Sequence, residues 1–283
     1  MLYIDRMPVT GGKFPNQEVY IDFDELHSLD KRAPHEVLCK FESNDDLIAL
    51  MQLKRSMDDM GFRDVSLFLP YLPYAALDRT ENKRCLGAKI NGELINSLNF
   101  QEVRTWEAHS NVALALTNHI QDRLMSLDIA NQVVGGLIAQ GVSEEDIVYV
   151  FPDAGAKTRY KSLNPKQFIT FEKARRFNDG SLRNPRIGEK IYEGTPIYAV
   201  VIDDLCRGGR TVCNAAKVVK SLGIQKVLFC VAHTEDTVYT GPILDDPNVD
   251  AIYTTDSCLT HVDHEKLHII KEVLTYEENV CCG

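Results

Sequence analysis

Apolar positions along this chain switch repeatedly between two periods. From Asp45 to Gly61 the residues Leu47, Ile48, Leu50, Met51, Leu53, Met57 and Met60 recur at helical spacing, and Gly61 supplies a stop. A short apolar run at 65–69 follows and reads as a buried strand. The same alternation predicts a helix at about 87–98, a strand at 103–106, a helix at about 124–140 and a strand at 147–151. A second cycle places a strand at 197–202, a helix at about 209–222, a strand at 227–231 and a final strand near 251–254. Strands alternating with helices need crossover connections, so the pattern predicts an α/β protein with mostly parallel sheets. Two such domains fit the length, with the expected division at 1–130 and 131–283. In open sheets of this kind ligands gather beyond the carboxyl ends of the strands.

Composition narrows the field. The chain has 283 residues, 44% of them hydrophobic and 25% charged, which is the ordinary globular range. A formal net charge of -10 disfavours nucleic acid as a partner, because phosphate surfaces need basic ones. No apolar run reaches the roughly 20 residues of a membrane-spanning helix, and the start, Met1-Leu2-Tyr3-Ile4-Asp5-Arg6, does not read as a signal peptide. The expectation is a cytoplasmic protein with no membrane partner. Eight cysteines without paired CxxC units read as reduced thiols rather than as a disulfide framework or zinc site.

The segment with the most chemistry is Ile197-Tyr198-Ala199-Val200-Val201-Ile202-Asp203-Asp204-Leu205-Cys206-Arg207-Gly208-Gly209-Arg210-Thr211. An apolar strand runs into two carboxylates, and a Gly pair then opens a helix. Backbone N–H groups at such a turn form an anion nest, and adjacent carboxylates accept hydrogen bonds from sugar hydroxyls. A sugar phosphate satisfies both. The plain alternative is a solvated turn in which Asp203 or Asp204 caps the helix.

This loop resembles the ribose-phosphate loop shared by phosphoribosyltransferases and ribose-phosphate pyrophosphokinases (phosphoribosyl diphosphate synthetases). Other segments resemble the second family in its own order. Lys13-Phe14-Pro15-Asn16-Gln17-Glu18 resembles its adenine-binding hairpin, and residues 69–79, Leu-Pro-Tyr-Leu-Pro-Tyr-Ala-Ala-Leu-Asp-Arg, resemble a segment at the end of an N-domain strand. Thr105-Trp106-Glu107-Ala108-His109-Ser110 is similar to its acidic-x-His motif. Phe151-Pro152-Asp153-Ala154-Gly155-Ala156-Lys157 is similar to its pyrophosphate loop, and Lys173-Ala174-Arg175 to the Lys-x-Arg of its mobile catalytic loop.

The resemblance implies two phosphoribosyltransferase-like domains with mostly parallel central sheets flanked by helices. It implies transfer of the β,γ-diphosphate of ATP to the anomeric hydroxyl of a 5-phosphorylated ribose, with release of AMP and with Mg²⁺ as cofactor. ATP would be held by Phe14, Asn16, Glu18, Asp78, Arg79 and His109. The metal would meet His109 and Asp153, with Glu107 a further candidate. The diphosphate loop would be Asp153, Ala154 and Gly155. Asp203, Asp204, Arg207, Gly208, Gly209, Arg210 and Thr211 would take the ribose phosphate, and Lys173, Arg175 and His109 would be catalytic. A homo-oligomer is implied as well, because the family's hairpin commonly completes the ATP site of a neighbouring subunit.

Three departures qualify the resemblance. Glu107 stands where the family usually has Asp, Arg207 stands where it has an acidic residue, and Ala76-Leu77 replace an Arg and a polar partner. The reversed charge at Arg207 suggests a more anionic acceptor, and ADP-ribose in an NAD-salvage branch is the expectation it raises, with Arg207 or Arg210 on the second phosphate. A non-catalytic regulatory paralogue and a phosphoribosyltransferase are the alternative readings.

Overall fold

The computed structural model describes residues 1–80, 84–172 and 185–275. Two compact units divide at Arg123/Leu124. The first holds β1 (Leu2–Ile4), β2 (Met7–Pro8), β3 (Gly11–Lys13), β4 (Val19–Ile21), β5 (His35–Cys39), α1 (Asn44–Met60), β6 (Val65–Phe68), α2 (Gly87–Ser97), β7 (Val103–Trp106), α3 (Asn111–Leu116) and β8 (Ile120–Arg123). Its main sheet has the order β2-β1-β5-β6-β7-β8, and β5 through β8 run parallel. The β3–β4 pair is a separate antiparallel hairpin.

Local chemistry sets the helix ends. At the start of α1, Ser43 and Asp46 form a reciprocal capping box, and Gly61 closes the helix at φ 93°. Leu50, Leu53 and Met57 face the core beside Val37 and Leu67 and Leu47 is buried as well, whereas Ile48 and Met51 are on the outer face. The apolar stripe of α1 is therefore narrower than its sequence suggests.

The second unit holds α4 (Met125–Ala139), β9 (Ile147–Phe151), α5 (Ala154–Arg159), β10 (Phe168–Glu172), β11 (Arg186–Ile191), β12 (Tyr198–Cys206), α6 (Arg210–Ser221), β13 (Lys226–Thr234), β14 (Ala251–Thr255) and β15 (Leu267–Lys271). Its sheet has the order β11-β10-β9-β12-β13-β14-β15, parallel except at β10–β11. Val148, Val201 and Phe229 from the strands pack with Val212, Ala216 and Val219 of α6 in one core. Helix α4 packs on β12, β13 and β14 and lies wholly in this unit, so a boundary after residue 130 would cut a continuous helix.

Several strands depart from the expectation. β1, β2, β5, β8, β10, β11 and β15 are not among the predicted strands, and β14 is followed by β15 rather than ending the sheet. β12 does not stop at Ile202 but continues through Asp203 and Asp204 to Cys206. Among the described residues the six cysteines are free thiols, and no helix is long and apolar enough to cross a membrane.

Candidate active site

In the first unit the candidate segments 69–79 and 105–110 lie at the carboxyl ends of β6 and β7. The Pro70 carbonyl, just past β6, accepts from the Trp106 N–H at 3.0 Å and the Thr105 hydroxyl at 3.4 Å. Farther along, the Ser110 hydroxyl donates to Asp78 at 2.7 Å while Arg79 Nε donates to the other Asp78 oxygen at 2.9 Å. The hydrogen bond from Arg79 outweighs burial, Ser110 adds to it, and the Asp78 carboxyl is held below the usual carboxylate range.

These contacts present His109. The Ala108 N–H before it donates to Asp122 Oδ1 at 2.9 Å, and Ser110 after it caps α3 through the Val112 N–H at 3.1 Å. His109 itself is exposed. Glu107 is wholly enclosed, with a left-handed backbone at φ 40° and its N–H donating to Arg123 O at 2.8 Å. The two halves of the Glu-x-His motif thus have opposite surroundings.

The hairpin turn between β3 and β4 holds Phe14, Asn16 and Glu18. Phe14 N–H donates to Glu18 O at 2.9 Å, and Asn16 Oδ1 accepts from the Glu18 N–H at 3.2 Å, so the Asn16 side chain helps to shape the turn. The Phe14 ring is 52% exposed and lies 4.8 Å from the Tyr20 ring. It offers a free aromatic face.

In the second unit, Asp153 caps α5 by accepting from the Ala156 N–H at 2.9 Å. A β-carbon on Gly155 would come within 3.0 Å of Asp153 Oδ1, so the glycine leaves room for that carboxylate. Asp204 is buried, with Arg159 3.7 Å away. Asp203 Oδ1 accepts from the Asp204 N–H at 3.0 Å. Burial first, then repulsion from Asp204 and more weakly from Asp153, pushes the Asp203 carboxyl well above the usual range. Two carboxylates enclosed together favour a bound cation or a hydroxyl donor.

The helix α6 begins at Gly209, φ 72°, without a side-chain cap. Neither Asp203 nor Asp204 is the cap, because both lie inside β12. The first N–H groups of this 12-residue helix therefore retain their capacity for an anion. The exposed Arg210 and Thr211 stand on its first turn. Gly208 is pressed against Gly241, where an added β-carbon on Gly241 would lie 2.4 Å from Gly208 Cα. Arg207 turns to Glu235, with Nε 3.2 Å from its carboxylate. Lys173 and Arg175 lie outside the described residues. Arg159, Ser110 and Gly241 were not singled out in the sequence, and their contacts with Asp204, Asp78 and Gly208 in the fold bring them beside the candidate residues.

No group of three or more His, Cys, Asp or Glu side chains among the described residues could hold a metal ion unaided. The carboxylates present nevertheless suit Mg²⁺, which keeps several waters and binds through one or two carboxylates together with substrate phosphates.

The two mostly parallel sheets and the acid-pair loop define a phosphoribosyltransferase-like fold. No family model matches the chain. It is similar to curated proteins named ribose-phosphate pyrophosphokinase: 25% identical over 232 residues to that of Hyphomonas neptunium, covering 78% of this chain and 69% of the relative, and 27% identical over 231 residues to that of a Marinomonas species, covering 79% and 70%. The crystal structure of phosphoribosylpyrophosphate synthetase from Mycobacterium smegmatis shares the fold with a TM-score of 0.72, at 17% identity, over 94% of this chain and 86% of the other. In sequence the chain is therefore similar to ribose-phosphate pyrophosphokinases, and it shares the fold of the solved synthetase.

Proposed function

We propose that the protein transfers the β,γ-diphosphate of ATP to the anomeric hydroxyl of ribose 5-phosphate and releases AMP. The observation that carries this reading is the acid pair Asp203–Asp204 next to the uncapped start of α6 at Gly208–Gly209. Asp203 and Asp204 take ribose hydroxyls, and the backbone N–H groups from Gly209 onward, with Arg210 and Thr211, take the 5-phosphate.

In the reaction the anomeric oxygen attacks the β-phosphorus in line. The bond from that phosphorus to the bridging oxygen breaks, AMP leaves with the oxygen, and the anomeric proton is released. Phe14 stacks on adenine with its exposed face, and Asp78 and Arg79 hold the nucleotide near His109. Mg²⁺, when bound, neutralises phosphate charge. His109 and Asp153 are the groups that would meet it or its waters, whereas the enclosure of Glu107 leaves that residue a structural part in the turn before His109. Lys173 and Arg175 close on the transferring group and stabilise its charge. By the same resemblance the exposed Phe14 hairpin serves a homo-oligomer.

The engagement of Arg207 by Glu235 weakens the case for Arg207 as a contact to the second phosphate of ADP-ribose, and ribose 5-phosphate is the acceptor better supported. Incubation with ATP, Mg²⁺ and either acceptor, followed by mass measurement, tests this. AMP together with a diphosphate gain on ribose 5-phosphate is expected. A gain on ADP-ribose alone would replace the acceptor, and no AMP with either would reject the activity in favour of a non-catalytic paralogue. Diphosphate release that depends on a nucleobase would instead make the protein a phosphoribosyltransferase.

A further inference from the structure

We infer that Ser126, outside every motif above, is a positioning residue for the acid pair, holding β12 open against β13 where Asp203 and Asp204 lie. The inference rests on the proposed ribose site. Paired positions on the two strands run in step from Tyr198–Lys226 to Asp203–Val231, skip Asp204 opposite Ala232, and resume at Leu205–His233. At the gap the Ser126 hydroxyl donates to the Asp203 carbonyl at 2.6 Å and accepts from the Ala232 N–H at 2.7 Å. In a parallel ladder such an N–H and carbonyl meet directly. Here a side chain stands between them.

The substitution is completed on the next strand. The Ala232 carbonyl accepts from the Thr255 hydroxyl at 2.7 Å, so both backbone polar groups of Ala232 are served by side chains. Ser126 and Thr255 are fully buried. On its other edge β12 pairs with β9 only as far as Val201–Val150, and past that point the Asp204 N–H is met by Asp203's own carboxylate. The acid pair is therefore bordered on both edges by side-chain hydrogen bonds.

The wedge is held from a rigid element. Ser126 stands in the first turn of α4, whose Met125, Ile129 and Ala130 are buried, and this helix packs on β12, β13 and β14. Groups that act on a substrate need placement to a fraction of an ångström, and packed second contacts supply it. A buried serine that only satisfied backbone groups would affect stability and both substrates alike. A positioning serine affects the ribose substrate selectively.

Steady-state kinetics with ribose 5-phosphate and ATP varied separately, on wild type, Ser126→Ala, Ser126→Cys and Ser126→Thr, distinguish the two roles. Crystal structures of wild type and the variants complete the test. Loss of the hydroxyl is expected to raise KM for ribose 5-phosphate about tenfold, with KM for ATP within about twofold, and the threonine hydroxyl to restore it. The carboxylates of Asp203 and Asp204 are expected to shift in Ser126→Ala. Should that variant fail to fold, Ser126→Cys, close to serine in size and poor at hydrogen bonding, replaces it. Equal rises in both KM values, a threonine variant as impaired as alanine, or an acid pair that stays in place would overturn the inference. If wild type releases no AMP, the proposed activity falls separately, and the position of the acid pair in the variant structures alone decides the role of Ser126.

Discussion

Gly209 and Ile243 approach so closely that a β-carbon on the glycine would lie 2.4 Å from Ile243 Cβ. The glycine also has a left-handed backbone, φ 72°, which ordinary side chains rarely adopt. Gly209→Ala is expected to cost about 2–4 kcal/mol from the two effects together and to weaken ribose 5-phosphate binding. Gly61→Ala is the control. Gly61 has φ 93° and open space around it, so only the backbone cost of about 1–2 kcal/mol applies there. Urea denaturation of both variants checks the difference.

Asp203 sits where burial and Asp204 oppose its charged form. Its carboxyl is raised in the folded chain by burial and by Asp204, whereas in the unfolded chain it titrates near the ordinary value of about 3.9. Stability therefore falls as pH rises above about 4, and the loss is complete only beyond the raised folded value. Asp203→Asn is expected to be more stable than wild type at pH 7.5, with the gap closing toward about pH 3, while activity is lost. Denaturation curves at the two pH values, beside an AMP-release assay, measure both effects.

Asp78 has the opposite sign. Arg79 and Ser110 depress its carboxyl, so its contribution is present above the unfolded value and disappears as pH falls through the folded one. Asp78→Asn should be less stable than wild type at neutral pH and equal to it in acid. Ser110→Ala should reproduce part of that loss, read from the same melting series.

Lys173 and Arg175 follow Glu172 in the sequence. Lys173→Ala and Arg175→Ala are expected each to lower kcat by about a hundred- to a thousandfold, the scale for removing one group that stabilises transition-state charge. Melting temperatures should be unchanged. Near-wild-type turnover in both variants would remove the catalytic assignment.

Local signals made much of the fold legible. Ser43, Asp46 and Gly61 bracket α1 by hydrogen bonds and backbone preference within a few residues, so the helix at 45–61 could be read directly. β8, Ile-Gln-Asp-Arg, has no apolar alternation and alternates only between half-buried and exposed positions, so its pairing with β7 left no mark in the sequence. β12 outlasts its apolar run because a strand can continue through two carboxylates when Arg159 and a side-chain hydrogen bond receive them.

The sequence by itself determined the longer helices, the apolar strands β6, β7, β9, β12, β13 and β14, the acid pair and the Gly-Gly helix start. Tertiary structure decided which of these groups is offered to a ligand. Glu107 and His109 are two residues apart, yet one is enclosed and the other exposed, since Asp122, fourteen positions beyond Ala108, fixes the turn between them. Arg207, expected at the phosphate, is paired with Glu235, 28 positions away. Ser126 reaches Asp203 across 77 positions and Ala232 across 106. Contacts at such separations depend on how the helices pack on the sheet, and no local period or spacing encodes them.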